Sequence, residues 1–162
     1  MNFPLIRPLI DNSFYNCILQ LIHSSQKEIY IVSFEFDIGF PSSSSPMYNI
    51  FQALSEKAPS LDTITIFLNK SNRSNRNYYI NQSSAQALSK NGIIVYQANS
   101  VHTVHSKLFI SDYENLVIGS HNFTNRSIKR NSEFSLYFQS NIVYNIVKSY
   151  ILDLIREKGV KV

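Results

Sequence analysis

A second cysteine is missing. With Cys17 alone among 162 residues, no disulfide can close within the chain, and the redox compartment cannot be read from bridges. Cys17 sits in FYNCILQLI, the setting of a small buried hydrophobe. Charge is also scarce: charged residues make up 16% against 44% hydrophobic, a globular balance rather than a disordered one. What charge there is leans positive, with fifteen Lys+Arg against eleven Asp+Glu and a net of +4. That mild basicity permits a polyanionic partner without requiring one.

No run approaches the ~20 apolar residues that span a bilayer, so no stable membrane insertion is expected. The opening MNFPLIRPLIDNSF lacks a basic stretch followed by a continuous apolar run, and a cytoplasmic location is expected; a secreted form whose leader had been removed would read the same. No internal repeat appears, and the length suits a single domain over 1–162.

Helical and strand periodicities alternate along the chain. Asp11 or Asn12 precedes Phe14, Ile18, Leu21 and Ile22 at helical spacing. KEIYIVSFEF reads as a buried strand, Pro41–Pro46 as a loop, 47–57 as a helix ended before Pro59, and DTITIFLN as a strand. NKSNRSNRNYY reads as a polar surface loop, NQSSAQALSKNG as a short helix closed by Asn91-Gly92, and IIVYQ and EFSLYF as strands. NIVYNIVKSYILDLIREK is an amphipathic helix. This alternation predicts an α/β fold, a mixed β-sheet flanked by helices on both faces.

The segment VHSKLFISDYENLVIGSHNFTNR, 104–126, concentrates the chemistry. Read as a strand, HSKLFI places His105 and Lys107 on one face. Asp112 ends it, YEN turns, and LVIG returns as a hairpin partner that delivers Ser120 and Asn122, again two apart. An imidazole, an ammonium, a hydroxyl and an amide then converge on one space. A neutral imidazole can attack phosphorus and split a hard displacement into two easier steps. Lys107 and Asn122 would hold the non-bridging oxygens, and a carboxylate behind the imidazole would stabilise its cationic form. This chemistry calls for no metal and no cofactor. Each residue alone has an ordinary reading, such as a satisfied strand histidine, a snorkelling lysine or hairpin polar residues; it is their joint spacing that carries weight.

The run His105-x-Lys107-x4-Asp112-x6-Gly119-Ser120-x-Asn122 resembles, without a gap, the HKD signature of the phospholipase D superfamily. Glu133, in NRSIKRNSEF, falls where that family often carries an acidic residue supporting the histidine. The resemblance implies catalytic roles for His105, Lys107, Asp112, Ser120, Asn122 and Glu133, and a phospholipase D-like fold over the chain. Which of Asp112 and Glu133 touches the histidine stays open. His121 fills the motif's variable position, with at most a rim contact to substrate. His102, three before His105, has no cysteine or acidic cluster beside it to make a metal site. His23 ends a helix.

Phosphohistidine chemistry needs a second histidine to protonate the leaving oxygen and then activate water, and no second H-x-K occurs in the chain. The resemblance is therefore to the single-motif, Nuc-type endonucleases, which pair as homodimers, and implies a composite site with His105 from both subunits. Basic residues at Lys70, Arg73 and Arg76 and at Arg126, Lys129 and Arg130 would give phosphate contacts without sequence preference, and Tyr78 and Tyr79 could stack on bases. A nuclease on DNA, favoured over RNA, is the expected activity. A phospholipid phosphodiesterase or phosphatidyl transferase is the first alternative, supported only by FDIGFPSSSSPM as a surface contact; a non-catalytic nucleic-acid-binding module is the second.

Overall fold

The computed structural model describes residues 6–72, 75–99 and 103–162. In chain order it contains β1 (Ile6–Ile10), α1 (Ser13–Ser24), β2 (Glu28–Ser33), α2 (Pro46–Lys57), β3 (Thr63–Leu68), α3 (Arg76–Lys90), β4 (Ile94–Ala98), β5 (Leu108–Ser111), β6 (Asn115–Gly119), α4 (Asn125–Lys129), β7 (Phe134–Gln139), α5 (Asn141–Lys158) and β8 (Gly159–Lys161). The strands form one sheet in the order β1-β7-β6-β5-β2-β3-β4-β8. Toward one edge β2, β3 and β4 run parallel, joined by the crossover helices α2 and α3. All the other pairings are antiparallel.

β2 is buried at every position because helices cover both faces of the sheet. Ile29 and Ile31 point to one side, where Phe14, Ile18 and Ile22 of α1, Ile50 and Leu54 of α2 and Leu88 of α3 complete a core. Tyr30 and Val32 point to the other, where α5 supplies Tyr144, Ile151 and Leu154. A buried cluster docks α5: Glu28 accepts from Tyr144 Oη at 2.6 Å and pairs with Lys148 Nζ, whose ammonium also lies 5.2 Å from the centre of the Tyr30 ring.

The α/β architecture expected from the sequence is what the chain forms, with local differences. β1 and β8 were not anticipated; both are short edge strands, and Pro8 lies inside the first. α3 starts at Arg76, inside the stretch expected as loop, because the Asn75 side chain accepts from the Asn77 N–H at 2.9 Å and caps it. Residues 105–107 lie outside the sheet, and β5 begins only at Leu108.

Candidate active site

β5 pairs antiparallel with β2, Val32 opposite Leu108. The start of β5 therefore lies at the carboxyl end of the parallel strands, where open α/β sheets bind ligands. His105 is exposed there, its ring 4.9 Å from that of Phe34 just beyond β2. Lys107 is buried: its Nζ donates to the His105 carbonyl at 2.6 Å and lies 5.5 Å from the centre of the Phe34 ring. Burial lowers the Lys107 pKa from its ordinary value, and the nearby Glu133 charge partly offsets this. The result is a poorly hydrated ammonium beside an accessible imidazole.

The return strand β6 brings the second pair. An added Cβ at Gly119 would fall 2.4 Å from Ser135 Cα and 2.5 Å from the Phe134 carbonyl; glycine is needed because β6 and β7 press together there. Ser120 follows, its N–H donating to the Phe134 carbonyl at 3.0 Å, its hydroxyl accepting from Phe134 N–H at 3.1 Å and donating to Glu133 Oε2. Asn122 is pinned twice: its N–H donates to Ser127 Oγ at 3.0 Å, and its Oδ1 accepts from the Glu35 N–H at 3.2 Å. That leaves Asn122 Nδ2 as the donor it can offer a substrate.

Two expected roles are corrected. Asp112 lies at the far end of β5 from His105, and its carboxylate accepts from the N–H groups of Gln26, Lys27 and Glu28 at 2.9, 2.9 and 3.2 Å. It clasps the turn before β2 and does not reach the imidazole, because the four residues of β5 separate the two. Glu133 does not hold the imidazole either. Its carboxylate accepts from Ser120, from Ser127 at 2.8 Å and from Asn131 at 3.0 Å. Burial opposes its ionisation, but these three bonds prevail and hold its pKa below the usual carboxylate value. Among the described residues no carboxylate pairs with His105.

His121 is also not a rim contact. It is fully buried, stacked on Phe14 at 4.3 Å, with Nδ1 bonded to Ser135 Oγ at 2.8 Å and Nε2 to the Asp11 carbonyl at 3.0 Å. Burial pushes its pKa down, so it is a neutral structural ring. Asp11, which no motif marks, supports this arrangement at φ 46°: its Oδ1 accepts from Glu133 N–H at 2.9 Å.

The expected basic contacts divide. Arg76, Arg126, Lys129 and Arg130 line an open cleft of about 840 Å³. Lys70 is exposed and not part of that lining; Arg73, like His102, lies outside the described residues. The cleft does not contain His105 but adjoins the motif, since Asn131 lines it and bonds Glu133. Glu35, missed in the sequence, stands between the two. Burial and the Asp37 charge raise its pKa, against the lowering pull of Arg76 and Arg126. Its only signal was its place just after a buried strand.

A family model described as cardiolipin synthase, PLD-like domain, matches residues 18–155. Nuc from Salmonella typhimurium, described as a phospholipase D family member, is similar over 99% of both chains, with a TM-score of 0.81 at 19% identity. NucT from Helicobacter pylori is similar over 97% of this chain and 99% of its own, with a TM-score of 0.75 at 15% identity. The phosphatidylserine synthase of Haemophilus influenzae is similar over 100% of this chain but 40% of its own, with a TM-score of 0.73 at 14% identity. No curated protein matches the chain by sequence.

Proposed function

The chain belongs to the PLD-like domain family, enzymes of the phosphodiester bond, and from that premise we propose that it is a nuclease cleaving DNA through a phosphohistidine intermediate at a site shared by two copies. The observation that carries this reading is the half-site itself. One exposed imidazole stands beside a buried ammonium, while the motif's other ring, His121, is committed to the core.

In the proposed reaction an imidazole nitrogen of one His105 attacks phosphorus. The P–N bond forms as the P–O bond to the leaving strand breaks, and His105 of the partner subunit protonates the departing oxygen. That second histidine, now neutral, takes a proton from water, which attacks phosphorus and releases the first imidazole. Lys107 and Asn122 Nδ2 hold the non-bridging oxygens through both steps. Glu133 keeps Ser120 in place. All groups the reaction uses are side chains of the two copies, so it proceeds without a metal. A single domain working in the cytoplasm fits this reading.

A second reading is favoured by the matching family model, described by a lipid-forming enzyme, and by the similarity to a phosphatidylserine synthase. On phospholipid the same two histidines would act, with an alcohol or water accepting the phosphatidyl group. One assay separates the readings. Purified protein is incubated in excess EDTA with plasmid DNA, with RNA and with labelled phospholipid vesicles. Nicking that survives EDTA and vanishes in His105→Ala supports the nuclease, and turnover of vesicles alone would refute it. An active monomer in gel filtration would refute the shared site.

A further inference from the structure

Phe40 is the most exposed large apolar side chain among the described residues, at 89%. It stands on the rim of the cleft whose lining includes Arg76, Arg126, Lys129 and Arg130. Its position is built. Gly39 turns the chain at φ +72°, and a Cβ there would fall 2.8 Å from Asn125 Nδ2, so the loop presses against the start of α4. Lys129 Nζ donates to the Ser44 carbonyl at 2.8 Å, and Asn125 Nδ2 to Ser45 Oγ at 2.9 Å. These bonds tie the loop carrying Phe40 to the helix carrying the cations.

We propose that this cleft is a subsite for an unpaired nucleotide strand, in which the basic residues follow the phosphates and Phe40 stacks on a base, so that the enzyme selects single-stranded over duplex nucleic acid. The inference rests on the nuclease reading and adds a specificity-determining residue to it. An aromatic ring interleaved with cations matches a single strand, whose bases have free faces. A duplex keeps its bases stacked and can offer one to Phe40 only by unstacking it. A lipid surface fits less well. The cations face a concavity rather than a plane, Phe40 is the one large apolar side chain of the lining, and serines and asparagines make up the rest. An embedded loop would have to bury those polar groups.

The test compares wild type, Phe40→Ala and Phe40→Trp on a single-stranded oligonucleotide, its duplex and a strand of abasic residues, with anionic phosphatidylglycerol vesicles as a binding control. Wild type is expected to cut the single strand faster than the duplex. Phe40→Ala should lower kcat/KM on the single strand about tenfold, mainly through KM. It should leave the abasic strand unchanged, and Phe40→Trp should restore the loss. The exposure of Phe40 means both variants should melt like wild type. If Phe40→Ala cuts the single strand as well as wild type does, the stacking site is refuted while the nuclease reading stands. If wild type cuts no nucleic acid, both fall. Loss of vesicle binding alone in Phe40→Ala would make the residue a lipid contact and overturn the proposal.

Discussion

At one end of the β5–β6 hairpin, His105 is open to solvent and Lys107 is buried, and beyond β6 the Asn122 Oδ1 accepts from the Glu35 N–H. At the other end, Asp112 and Tyr113 take φ values of 52° and 68°, and the Asp112 carboxylate is used up by three backbone donors. Both ends belong to one sequence signature, yet the first leaves an imidazole in solvent and the second spends its carboxylate on the protein's own N–H groups. The difference shows that motif spacing selects residues without telling reactive groups from those that hold the scaffold in register. A charged group aimed at unpaired space serves chemistry, whereas one whose lone pairs are already filled serves the fold.

Substituting one residue at each end should separate rate from stability. His105→Ala removes nucleophile and proton donor together in a shared site, and we expect at least a ~10⁴-fold loss of kcat. Its melting temperature should stay close to wild type, because the ring is exposed. Asp112→Ala should do the reverse. Losing a carboxylate that satisfies three N–H groups should cost about 2–3 kcal/mol in urea denaturation, with kcat per folded molecule unchanged. A large kcat loss in stably folded Asp112→Ala would break the division.

Lys107 sharpens the reactive end. Lys107→Ala should lower kcat/KM by about 10²–10³-fold, as the loss of one preorganised donor does. Because burial lowers its pKa from 10.5, activity that depends on the ammonium should fall with rising pH at a point below 10.5. An alkaline limb at or above that value would show the lysine to be solvated rather than buried against Phe34.

The chemistry of the candidate site was legible in the sequence, since an imidazole, an ammonium, a hydroxyl and an amide at fixed spacing suit a phosphate. The expected shared strand face was not: residues 105–107 lie outside the sheet, with His105 exposed and Lys107 buried. The family resemblance implies an acidic support for the histidine and leaves open whether Asp112 or Glu133 supplies it. The hydrogen bonds that take those carboxylates come from residues 26–28, 120, 127 and 131, and no short-range pattern reveals such partners. His121 was ambiguous for the same reason, its neighbours being Phe14, Asp11 and Ser135. The mixed sheet was readable from its alternating buried strands. Its edges were not, because three to five residues, one a proline, carry too little period.

Glu133 lies between the two kinds of role, and pH separates them. Its folded pKa is held below 4.5, so its bonds to Ser120, Ser127 and Asn131 contribute stability that is fully present above pH 4.5. That contribution is lost as pH falls through the lower folded value. Wild type should therefore exceed Glu133→Gln in urea stability at pH 7, and the gap should narrow below pH 4.5. A gap constant across that range would mean that the amide serves Ser120 as well as the carboxylate does.

The smallest expected effect distinguishes two surface cations, one in the cleft and one outside it. Arg126 lines the cleft and Lys70 does not. Each phosphate neutralised on a single strand contributes about 0.7 to the slope of log affinity against log salt. Arg126→Ala should flatten that slope by roughly this amount and weaken binding similarly across sequences. Lys70→Ala should leave slope and affinity unchanged within error, since an exposed cation off the strand's path releases no counterions on binding. Equal effects from the two would mean that nucleic acid sees a diffuse positive surface. The cleft would then have no privileged path for the strand, and the bonds from Lys129 and Asn125 that tie its walls together would serve stability alone.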